Sequence, residues 1–316
     1  MNRKIINSII SHTQSDVSYG TQLSGGIDSS LITSIVNQKS KKKLRTFSVS
    51  LDHDTLNESS YQKLFINSQE LDNSKINFNY KTFNNVEKLK KSIYFHDLPL
   101  HHPNIVASDL MNELASKEGM KVLLSGDGAD EIFAGYKWHL HYKNSNDINQ
   151  IINNSSYITI DSIKRVFNSK DKTDFNKIRE ELNSIEDPND RQIFFDQKYY
   201  LQKWLSRQDR SGMRSSVEIR VPFCTKKMAN LMNSFCMKSK IKNNETKLFL
   251  KLLGTQYLSE KIIFRKKIGF TIPIDDWFRV EKNELLDILF EERTLSRATY
   301  NSDEIKKVVK EHKENT

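Results

Sequence analysis

The first 145 residues alternate between short runs of β-branched and apolar residues and longer stretches in which apolar positions recur every three or four residues. Runs of the first kind predict strands over residues 17–23, 45–51, 75–80 and 121–125. Stretches of the second kind predict helices over residues 30–38, 58–71, 86–95 and 105–117. Because strands that alternate with helices form parallel sheets flanked by those helices, we predict an α/β fold for this half of the chain.

The remainder of the chain has a different pattern. Its first part is polar, rich in Asn, Ser, Lys and Asp, and predicts an insertion with two helices. Its last part has the helical period, interrupted at residues 221–223 and 265–273. We therefore predict one domain over residues 1–316, made of an α/β nucleotide-binding core (1–143), a variable polar insertion (144–188) and a mainly helical region (189–316).

A loop rich in serine and glycine joins the first predicted strand to the first predicted helix. It reads Ser24-Gly25-Gly26-Ile27-Asp28-Ser29-Ser30. The N–H groups and the positive dipole end at a helix start bind phosphate, and glycines let the main chain approach it closely. Serine hydroxyls are further donors, and Asp28 is an oxygen ligand of the kind that Mg²⁺ prefers. The loop lacks the Gly-Lys-Ser/Thr ending of a Walker loop. It resembles the pyrophosphate loop of enzymes that split ATP between the α and β phosphates.

A second turn, rich in glycine and carboxylates, follows the strand predicted over residues 121–125. It reads Ser125-Gly126-Asp127-Gly128-Ala129-Asp130-Glu131. Carboxylates so close in sequence repel one another unless a cation or a proton lies among them, so we predict Mg²⁺ or a proton there. Ligands of parallel sheets collect at the carboxyl ends of the strands. The acidic turn and the serine–glycine loop should therefore face one crevice.

Composition narrows the classes of protein that this chain can belong to. With 37% hydrophobic residues it can build a core, whereas no apolar run approaches the ~20 residues of a membrane span. Cys224 and Cys236 do not make a disulfide framework, so we predict buried thiols and a cytoplasmic protein. The net charge of +9 is spread along the chain. A membrane is therefore not an expected partner, and nucleic acid is an unlikely one.

The two loops are the first of several blocks that resemble the synthetase domain of glutamine-dependent asparagine synthetases, a group that includes β-lactam synthetases and lasso-peptide cyclases. The other blocks, in chain order, are Ser15-Asp16-Val17-Ser18-Tyr19-Gly20, Phe47-Ser48-Val49, Asp97-Leu98-Pro99-Leu100, Asp209-Arg210 with Met213, Ser216, Glu218, Arg220, Pro222 and Phe223, and Arg265-Lys266-Lys267-Ile268-Gly269-Phe270 with Pro273 and Trp277. They cover nearly the whole chain. The resemblance implies a PP-loop fold of the adenine-nucleotide α-hydrolase type with a largely helical C-terminal half.

Enzymes of this family join a carboxylate to an amine in two steps. The carboxylate attacks the α-phosphate of ATP to give an acyl-adenylate and pyrophosphate, and ammonia then displaces AMP. The resemblance thus implies ATP and Mg²⁺ as cofactors, a small carboxylate (aspartate by default) and ammonia as partners, and an asparagine-forming ligase. The site residues that it implies are Leu23 and Val49 for adenosine, Ser24, Gly25, Gly26, Ser29 and Ser30 for pyrophosphate, Asp28 and Asp130 for Mg²⁺, Ser125 and Gly126 for the nucleotide, and Asp127 and Lys267 for catalysis. Lys247, which opens Lys-Leu-Phe-Leu-Lys, is a further candidate to reach phosphate.

Departures from the family pattern bear on both substrates. Asn2 stands where full-length synthetases have the nucleophilic cysteine of a glutaminase domain, so we expect free ammonia, a separate glutaminase subunit or an amine substrate to supply the nitrogen. The chain also ends earlier than the family, as a truncated or split relative would. Gly212, Arg214, Cys224 and Thr225 also differ. Arg214 replaces a small residue in the helix expected near the substrate, so the carboxylate need not be aspartate.

Three alternatives stay open on the sequence. The same chemistry could act on a sugar acid, a peptide or another metabolite. A tRNA-modifying adenylating enzyme is a second alternative, disfavoured because the chain has no Cys-x-x-Cys or arginine-rich arm. The third is a non-catalytic relative, disfavoured by Asp28, Asp127, Asp130 and Lys267.

Two further sets of residues are predicted to have no direct role in catalysis or metal binding. The histidines at positions 96, 101, 102, 139 and 141 are predicted to lie in substrate loops or on the surface, because no compact set of zinc ligands surrounds them. Glu218 and Arg220, spaced two apart, would not pair on one helix face. We expect them to support the site from behind.

Overall fold

A parallel sheet of five strands forms the centre of the structure, in the order β3-β2-β1-β4-β5. The computed structural model describes residues 1–40, 43–97, 100, 102–144, 147–156, 160–167, 175–280, 283–297 and 299–314. The strands are β1 (Tyr19–Gln22), β2 (Arg45–Leu51), β3 (Asp72–Phe78), β4 (Val122–Leu124) and β5 (Glu218–Arg220). All neighbouring strands pair in parallel, as predicted.

The α-helices of the described residues surround this sheet and make up most of the C-terminal half. In the first half they are α1 (Asn2–Ser11), α2 (Ile27–Lys39), α3 (Ser59–Gln69), α4 (Tyr80–Phe83), α5 (Val86–His96), α6 (Ile105–Lys117), α7 (Ala129–Phe133) and α8 (Ile148–Asn154). The others are α9 (Ile160–Val166), α10 (Phe175–Asn183), α11 (Arg191–Phe195), α12 (Leu201–Arg214), α13 (Lys226–Asn233), α14 (Met237–Lys240), α15 (Leu248–Gly254), α16 (Glu260–Ile263), α17 (Ile274–Phe278), α18 (Glu284–Phe290), α19 (Glu292–Leu295) and α20 (Ser302–Glu314). None of the described helices is long and apolar enough to cross a membrane.

Strand β5 is the strand that the sequence pattern missed, and helix α1 was not predicted either. The strand has three residues and pairs with β4 alone, and so short a run gives no detectable alternation. Side chains two apart on a strand share a face, whereas on a helix they do not. The prediction considered Glu218 and Arg220 on a helix face, whereas they lie on a strand and pair there: Arg220 Nε donates to Glu218 Oε1 at 2.9 Å.

The helices cover both faces of the sheet, as the alternation of side chains along β4 shows. Val122 and Leu124 pack in one cluster with residues of α1 and α2. Leu123, between them, packs with Met111 of α6 in another. Successive strand residues point to opposite faces. The sheet is therefore a buried middle layer, and the loops that leave β1 and β4 lie at its carboxyl edge.

Helices α11 and α12 continue into each other through a π-helical turn at Asp196–Tyr200. Such turns widen a helix locally and are frequent at functional sites. Tyr200, Trp204 and Arg207 follow one another at spacings of four and three, which places them on one side of the helix. The described part of the polar insertion contains three helices, α8 to α10, rather than the two predicted. Its residues Ile151 and Leu182 pack against α11.

Candidate active site

A cavity of about 700 Å³ lies at the carboxyl ends of β1 and β4. Most of the predicted site residues line it: Leu23, Ser24, Gly26, Asp28, Ser29, Val49, Ser125, Gly126, Asp127, Asp130, Lys247 and Lys267. Two predicted residues lie behind the wall. Gly25 faces α3, and Ser30 is fully buried.

The serine–glycine loop and the acidic turn are in direct contact. A Cβ added to Gly126 would lie 2.9 Å from the Ser29 nitrogen and 3.0 Å from Asp28 Cβ, so only glycine fits between them. Gly25 has a φ of +79°, and a Cβ there would lie 2.9 Å from the backbone nitrogen of Gln62. Glycine at these two positions permits the close approach and the left-handed backbone. The single crevice predicted from the two loops is thus confirmed.

The serine–glycine loop ends at the start of α2, a helix of 13 residues that no side chain caps. The Gly26 N–H donates to Ser24 Oγ at 3.2 Å, and the Ser24 N–H donates to Ser29 Oγ at 3.1 Å. These bonds fix the loop. The uncapped start of the helix carries a partial positive charge that favours an anion in the cavity.

Two lysines and two aspartates alternate at the contact between the loops. Lys247 Nζ lies 2.5 Å from Asp28 Oδ2 and 2.7 Å from Asp130 Oδ1, and Lys267 Nζ lies 2.6 Å from Asp130 Oδ1. Burial raises the pKa of Asp28, and Lys247 only partly offsets it. Burial acts in the same direction on Asp130, but Lys247 and Lys267 together lower its pKa below the ordinary value. Lys247 is nearly buried, and the two carboxylates raise its pKa above the ordinary value although burial opposes this.

This cluster has the features of a divalent cation site. Asp28 Oδ1 is buried and has no hydrogen-bond partner among the described residues. The other oxygen of that carboxylate and one from Asp130 already share a cation, the ammonium of Lys247. Oxygen ligands that converge in this way suit Mg²⁺. Gly135 makes room for the cluster, since a Cβ there would lie 2.0 Å from Lys247 Cε and 2.1 Å from Asp130 Oδ1.

Asp127 is held by two side chains of α12 that the sequence did not single out. Arg207 Nη2 donates to Asp127 Oδ2 at 2.8 Å, and Gln208 Nε2 donates to the same oxygen. Gln208 also exchanges hydrogen bonds with Gln22 at the end of β1. Arg207 is nearly buried and its Nη1 donates to Asn104. The Asp127 carboxylate therefore has a fixed position on the cavity wall.

Glu131 and Tyr136, in and just after the acidic turn, form a buried pair beside the aspartates. The Tyr136 hydroxyl donates to Glu131 Oε1 at 2.6 Å. Burial, reinforced by the charge of Asp130, raises the pKa of Glu131 to about 8. This shift favours the protonated form of the Glu131 carboxyl near neutral pH.

Arg265 and Glu58 form a second buried ion pair on the wall, next to the serine–glycine loop. The Arg265 guanidinium also lies 4.7 Å from the ring centre of Tyr61, and its Nη1 has no hydrogen-bond acceptor among the described residues. The position of Arg265, two residues before Lys267, was the sequence signal that could have identified it.

Comparison with known proteins identifies the family of this chain. The family model described as asparagine synthase matches residues 2–316. The chain belongs to the asparagine synthase family. It is 26% identical to asparagine synthetase (glutamine-hydrolyzing) 1 of Bacillus subtilis strain 168, covering 98% of this chain and 54% of the relative. It is also 26% identical to asparagine synthetase (glutamine-hydrolyzing) 3 of the same strain, over 90% of this chain and 51% of the relative.

This chain spans about half the length of those curated relatives. Among solved structures it is similar to the U34-tRNA thiolase NcsA from Methanococcus maripaludis, with a TM-score of 0.35, 11% identity and coverage of 81% of this chain and 70% of that one.

The departures from the family pattern have structural explanations away from the cavity. Arg214 does not line the cavity but pairs with the fully buried Asp109. The reason that the sequence offered for an acceptor other than aspartate is therefore lost. Gly212 lets α12 pack on β5, since a Cβ there would lie 2.5 Å from the Val217 oxygen, and Thr225 caps α13. Cys224 is only partly buried, and the prediction of a buried thiol was wrong for Cys236 because it is exposed.

The histidines divide between the surface, the cavity and the core. His141 is exposed, and His102 lines the cavity. His96 and His139 are buried and pair with Asp109 and Asp196, so the prediction of loop or surface positions was wrong for these two. No group of three metal-binding His, Cys, Asp or Glu side chains is found among the described residues. His101, with Leu98 and Pro99 of the predicted Asp97–Leu100 block, lies outside them.

Proposed function

We propose that this chain is an ATP-dependent ligase that activates a carboxylate as its adenylate and passes the acyl group to ammonia or another amine. Membership of the asparagine synthase family supports the reaction type. The observation that carries the proposal is the cluster of Asp28, Asp130, Lys247 and Lys267 at the contact of the two loops. Alternating charges at the carboxyl edge of a parallel sheet suit a triphosphate and its counter-ion.

The nucleotide lies across the two loops in this proposal. The contacts that we assign are Leu23 and Val49 for adenosine, the backbone of Ser125 and Gly126 for the nucleotide, and Ser24, Gly26 and Ser29 for pyrophosphate. The uncapped start of α2 adds its dipole to the pyrophosphate contacts. Gly25 and Ser30 lie off the cavity, so they shape the loop rather than contact the ligand.

Asp28 and Asp130 would hold Mg²⁺, because their oxygens converge and Asp28 Oδ1 has no hydrogen-bond partner in the part of the chain that the structure describes. Mg²⁺ bound there neutralises charge on the triphosphate and orients it. Lys247, which shares the two carboxylates in this structure, then supplies its charge to the phosphate oxygens.

The acceptor carboxylate attacks the α-phosphorus, the bond to the bridging oxygen breaks, and pyrophosphate leaves with that electron pair. Lys267 stabilises the charge that builds on the α-phosphate. The amine then attacks the acyl carbon, and Lys267 stabilises the tetrahedral intermediate from which AMP leaves. Asp127, held by Arg207 and Gln208, takes a proton from the attacking amine.

Aspartate is the starting hypothesis for the acceptor, because the two Bacillus subtilis relatives are asparagine synthetases. Ammonia, free or delivered by a separate glutaminase subunit, is the starting hypothesis for the amine.

Exchange of labelled pyrophosphate into ATP tests the proposal. The purified chain is incubated with ATP, Mg²⁺ and a panel of carboxylates. We expect exchange that requires both Mg²⁺ and a carboxylate, and formation of AMP and an amide when ammonia is added. Formation of ADP and phosphate, or exchange without any carboxylate, would contradict the proposal. Salt-sensitive RNA binding in a parallel assay would favour the tRNA-modifying alternative.

A further inference from the structure

Four aromatic side chains form a continuous surface on one side of the cavity. They are Tyr136, Trp138, Tyr200 and Trp204, called the aromatic belt below, and all four line the cavity. Tyr136 and Trp138 stack with ring centres 4.3 Å apart. Tyr200 lies 6.1 Å from Trp138 and 5.4 Å from Trp204. At these separations aromatic rings attract one another, so the belt is one packed surface.

The aromatic belt extends between Lys267 and Arg207, which is the partner of Asp127. The proposed function assigns the chemistry to Lys267 and Asp127. At one end the Lys267 ammonium lies 4.6 Å from the ring centre of Tyr136. At the other end the Arg207 guanidinium lies 4.8 Å from the ring centre of Trp204 and pairs with Asp127. A carboxylate that reacts between Lys267 and Asp127 therefore has the aromatic belt beside the rest of its molecule.

A buried hydrogen-bond cluster fixes the belt from behind. The Trp138 indole N–H donates to Asp196 Oδ2 at 2.8 Å, and His139 Nε2 lies 2.8 Å from the same oxygen. Asp196 is fully buried, and its other oxygen accepts from Ser155 of the polar insertion. The orientation of the indole is thus set in the free protein, and a preorganised surface loses little entropy when a ligand binds.

The charges next to the belt do not suit a free amino acid. Besides its reacting carboxylate, aspartate has an α-carboxylate and an α-ammonium, and each needs a fixed opposite charge when it leaves water. Among the described residues, Lys267 and Arg207 are the cavity-wall cations that lie over rings of the belt, and they are already paired with Asp130 and Asp127. Lys137 also lines the cavity, but it is exposed to solvent and is not a fixed charge.

One polar group beside the belt is available to a ligand. Arg207 Nε is a buried donor with no acceptor among the described residues. An uncharged oxygen, such as a ring hydroxyl, satisfies this donor without adding a second charge.

We propose that the acceptor is a carboxylate carried on a ring, either a sugar acid or an aromatic acid, and that this ring lies on the aromatic belt. The inference rests on the proposed function, which places the carboxylate between Lys267 and Asp127. Sugar C–H faces and aromatic faces both pack on indole rings, so the belt accepts either. A hydroxyl that accepts from Arg207 Nε would distinguish the sugar from the aromatic ring.

Intrinsic fluorescence measures binding without turnover, since Trp138 and Trp204 are two of the three tryptophans in the chain. The full chain, with Mg²⁺ and a non-hydrolysable ATP analogue, is titrated with a hexuronate glycoside, with phenylacetate and with aspartate. We expect a saturable change with at least one of the two ring acids, at a concentration about tenfold or more below that needed for aspartate. Equal or tighter binding of aspartate overturns the inference, and so does the absence of binding by both ring acids.

Variants of Trp204 locate the effect on the belt. We expect Trp204→Leu to raise the Kd of the preferred ring acid about tenfold and Trp204→Phe to raise it less, because phenylalanine keeps a ring face. Tyr94→Ala is the matched control, since Tyr94 is an aromatic residue 76% exposed and outside the cavity wall. An unchanged Kd in both Trp204 variants overturns the inference.

The two proposals fail in different ways. If ring acids bind but no carboxylate supports pyrophosphate exchange, the proposed function fails. If exchange occurs with aspartate and not with ring acids, the proposed function stands and the ring-acid inference is wrong.

Discussion

The two ends of the cavity are built in different ways. The phosphate end consists of the serine–glycine loop, the acidic turn and two lysines, and most of its residues come from two continuous motifs after β1 and β4. The acceptor end consists of the aromatic belt with Arg207, and it is assembled from the segment after α7 and from the long helix through α12. The phosphate end is encoded in short continuous segments of the sequence, whereas the acceptor end is formed only by the tertiary structure.

This difference indicates how one reaction can serve different acceptors. In the proposed reaction, the steps that involve only ATP depend on groups at the phosphate end, so a substitution there should stop the reaction for every carboxylate alike. A substitution in the aromatic belt should instead change which carboxylates the protein prefers. The predictions below test this division, beginning with the largest effect.

Asp28→Asn and Asp130→Asn should each lower pyrophosphate exchange about a thousandfold or more with every carboxylate, because several kcal/mol of charge stabilisation depend on the cation that they hold. Asp161→Asn is the control, since that side chain is 92% exposed. The measurement is the exchange rate across the carboxylate panel at saturating Mg²⁺. A loss confined to one carboxylate would contradict the division between the two ends.

Lys247→Met should destabilise the protein in the absence of ligands. It leaves two neighbouring carboxylates without their shared cation, and breaking a buried ion pair in this way costs about 3–5 kcal/mol. Added Mg²⁺ should restore much of the loss in the variant and have little effect on the wild type. Thermal denaturation with and without Mg²⁺ measures this. A variant as stable as the wild type, or one that Mg²⁺ does not stabilise, would mean that Asp28 and Asp130 do not form a cation site.

Lys267→Ala should lower kcat by about 10²–10³-fold. The variant loses one electrostatic contact to the transition state, and the loss of one such contact costs about 2.7–4 kcal/mol. The KM for ATP should change much less, because Lys247 and the serine–glycine loop remain. The exposed Lys261 gives the control variant Lys261→Ala. A large rise in the KM for ATP with an unchanged kcat would show that Lys267 binds the ground state only.

Glu131→Gln should change the pH dependence of stability, the smallest of these effects. The pKa of Glu131 is about 8 in the folded protein against an ordinary 4.5. The folded protein therefore keeps a proton that the unfolded chain releases, and the wild type loses stability as pH rises through this interval. Glutamine keeps the acceptor for Tyr136 and does not titrate. As the pH rises from about 5 to about 8, the Tm of the wild type should therefore fall by roughly a few degrees relative to the Tm of the variant. A constant difference in Tm would mean that Glu131 is ionised throughout.

The contact between the serine–glycine loop and the acidic turn could be predicted from the sequence because the information for it is local. Gly25, Gly126 and Asp28 stand in strand–loop–helix contexts that any parallel sheet places at one edge. The contact between the two loops follows from that topology, and the structure confirms it.

The acceptor end could not be predicted in the same way. Trp138 and Trp204 are far apart in the chain, and only the packing of Tyr200 between them makes one surface. The prediction for Arg214 was wrong because its position in the sequence did not reveal the direction of its side chain. Its position near a family motif suggested a substrate contact, whereas the turn of α12 points it at buried Asp109. Strand β5 was missed because its pairing with β4 is non-local.

The central claim is that a carboxylate oxygen attacks the α-phosphorus of ATP beside Lys267, and transfer of an oxygen isotope tests it most directly. The preferred carboxylate, labelled with ¹⁸O in both oxygens, is incubated with the wild-type protein, ATP, Mg²⁺ and ammonia, and the nucleotide product is analysed by mass spectrometry. An acyl-adenylate that is broken by the amine leaves one carboxylate oxygen on phosphorus, so we predict AMP that carries a single ¹⁸O atom. Unlabelled AMP, or ADP as the product, would contradict the claim.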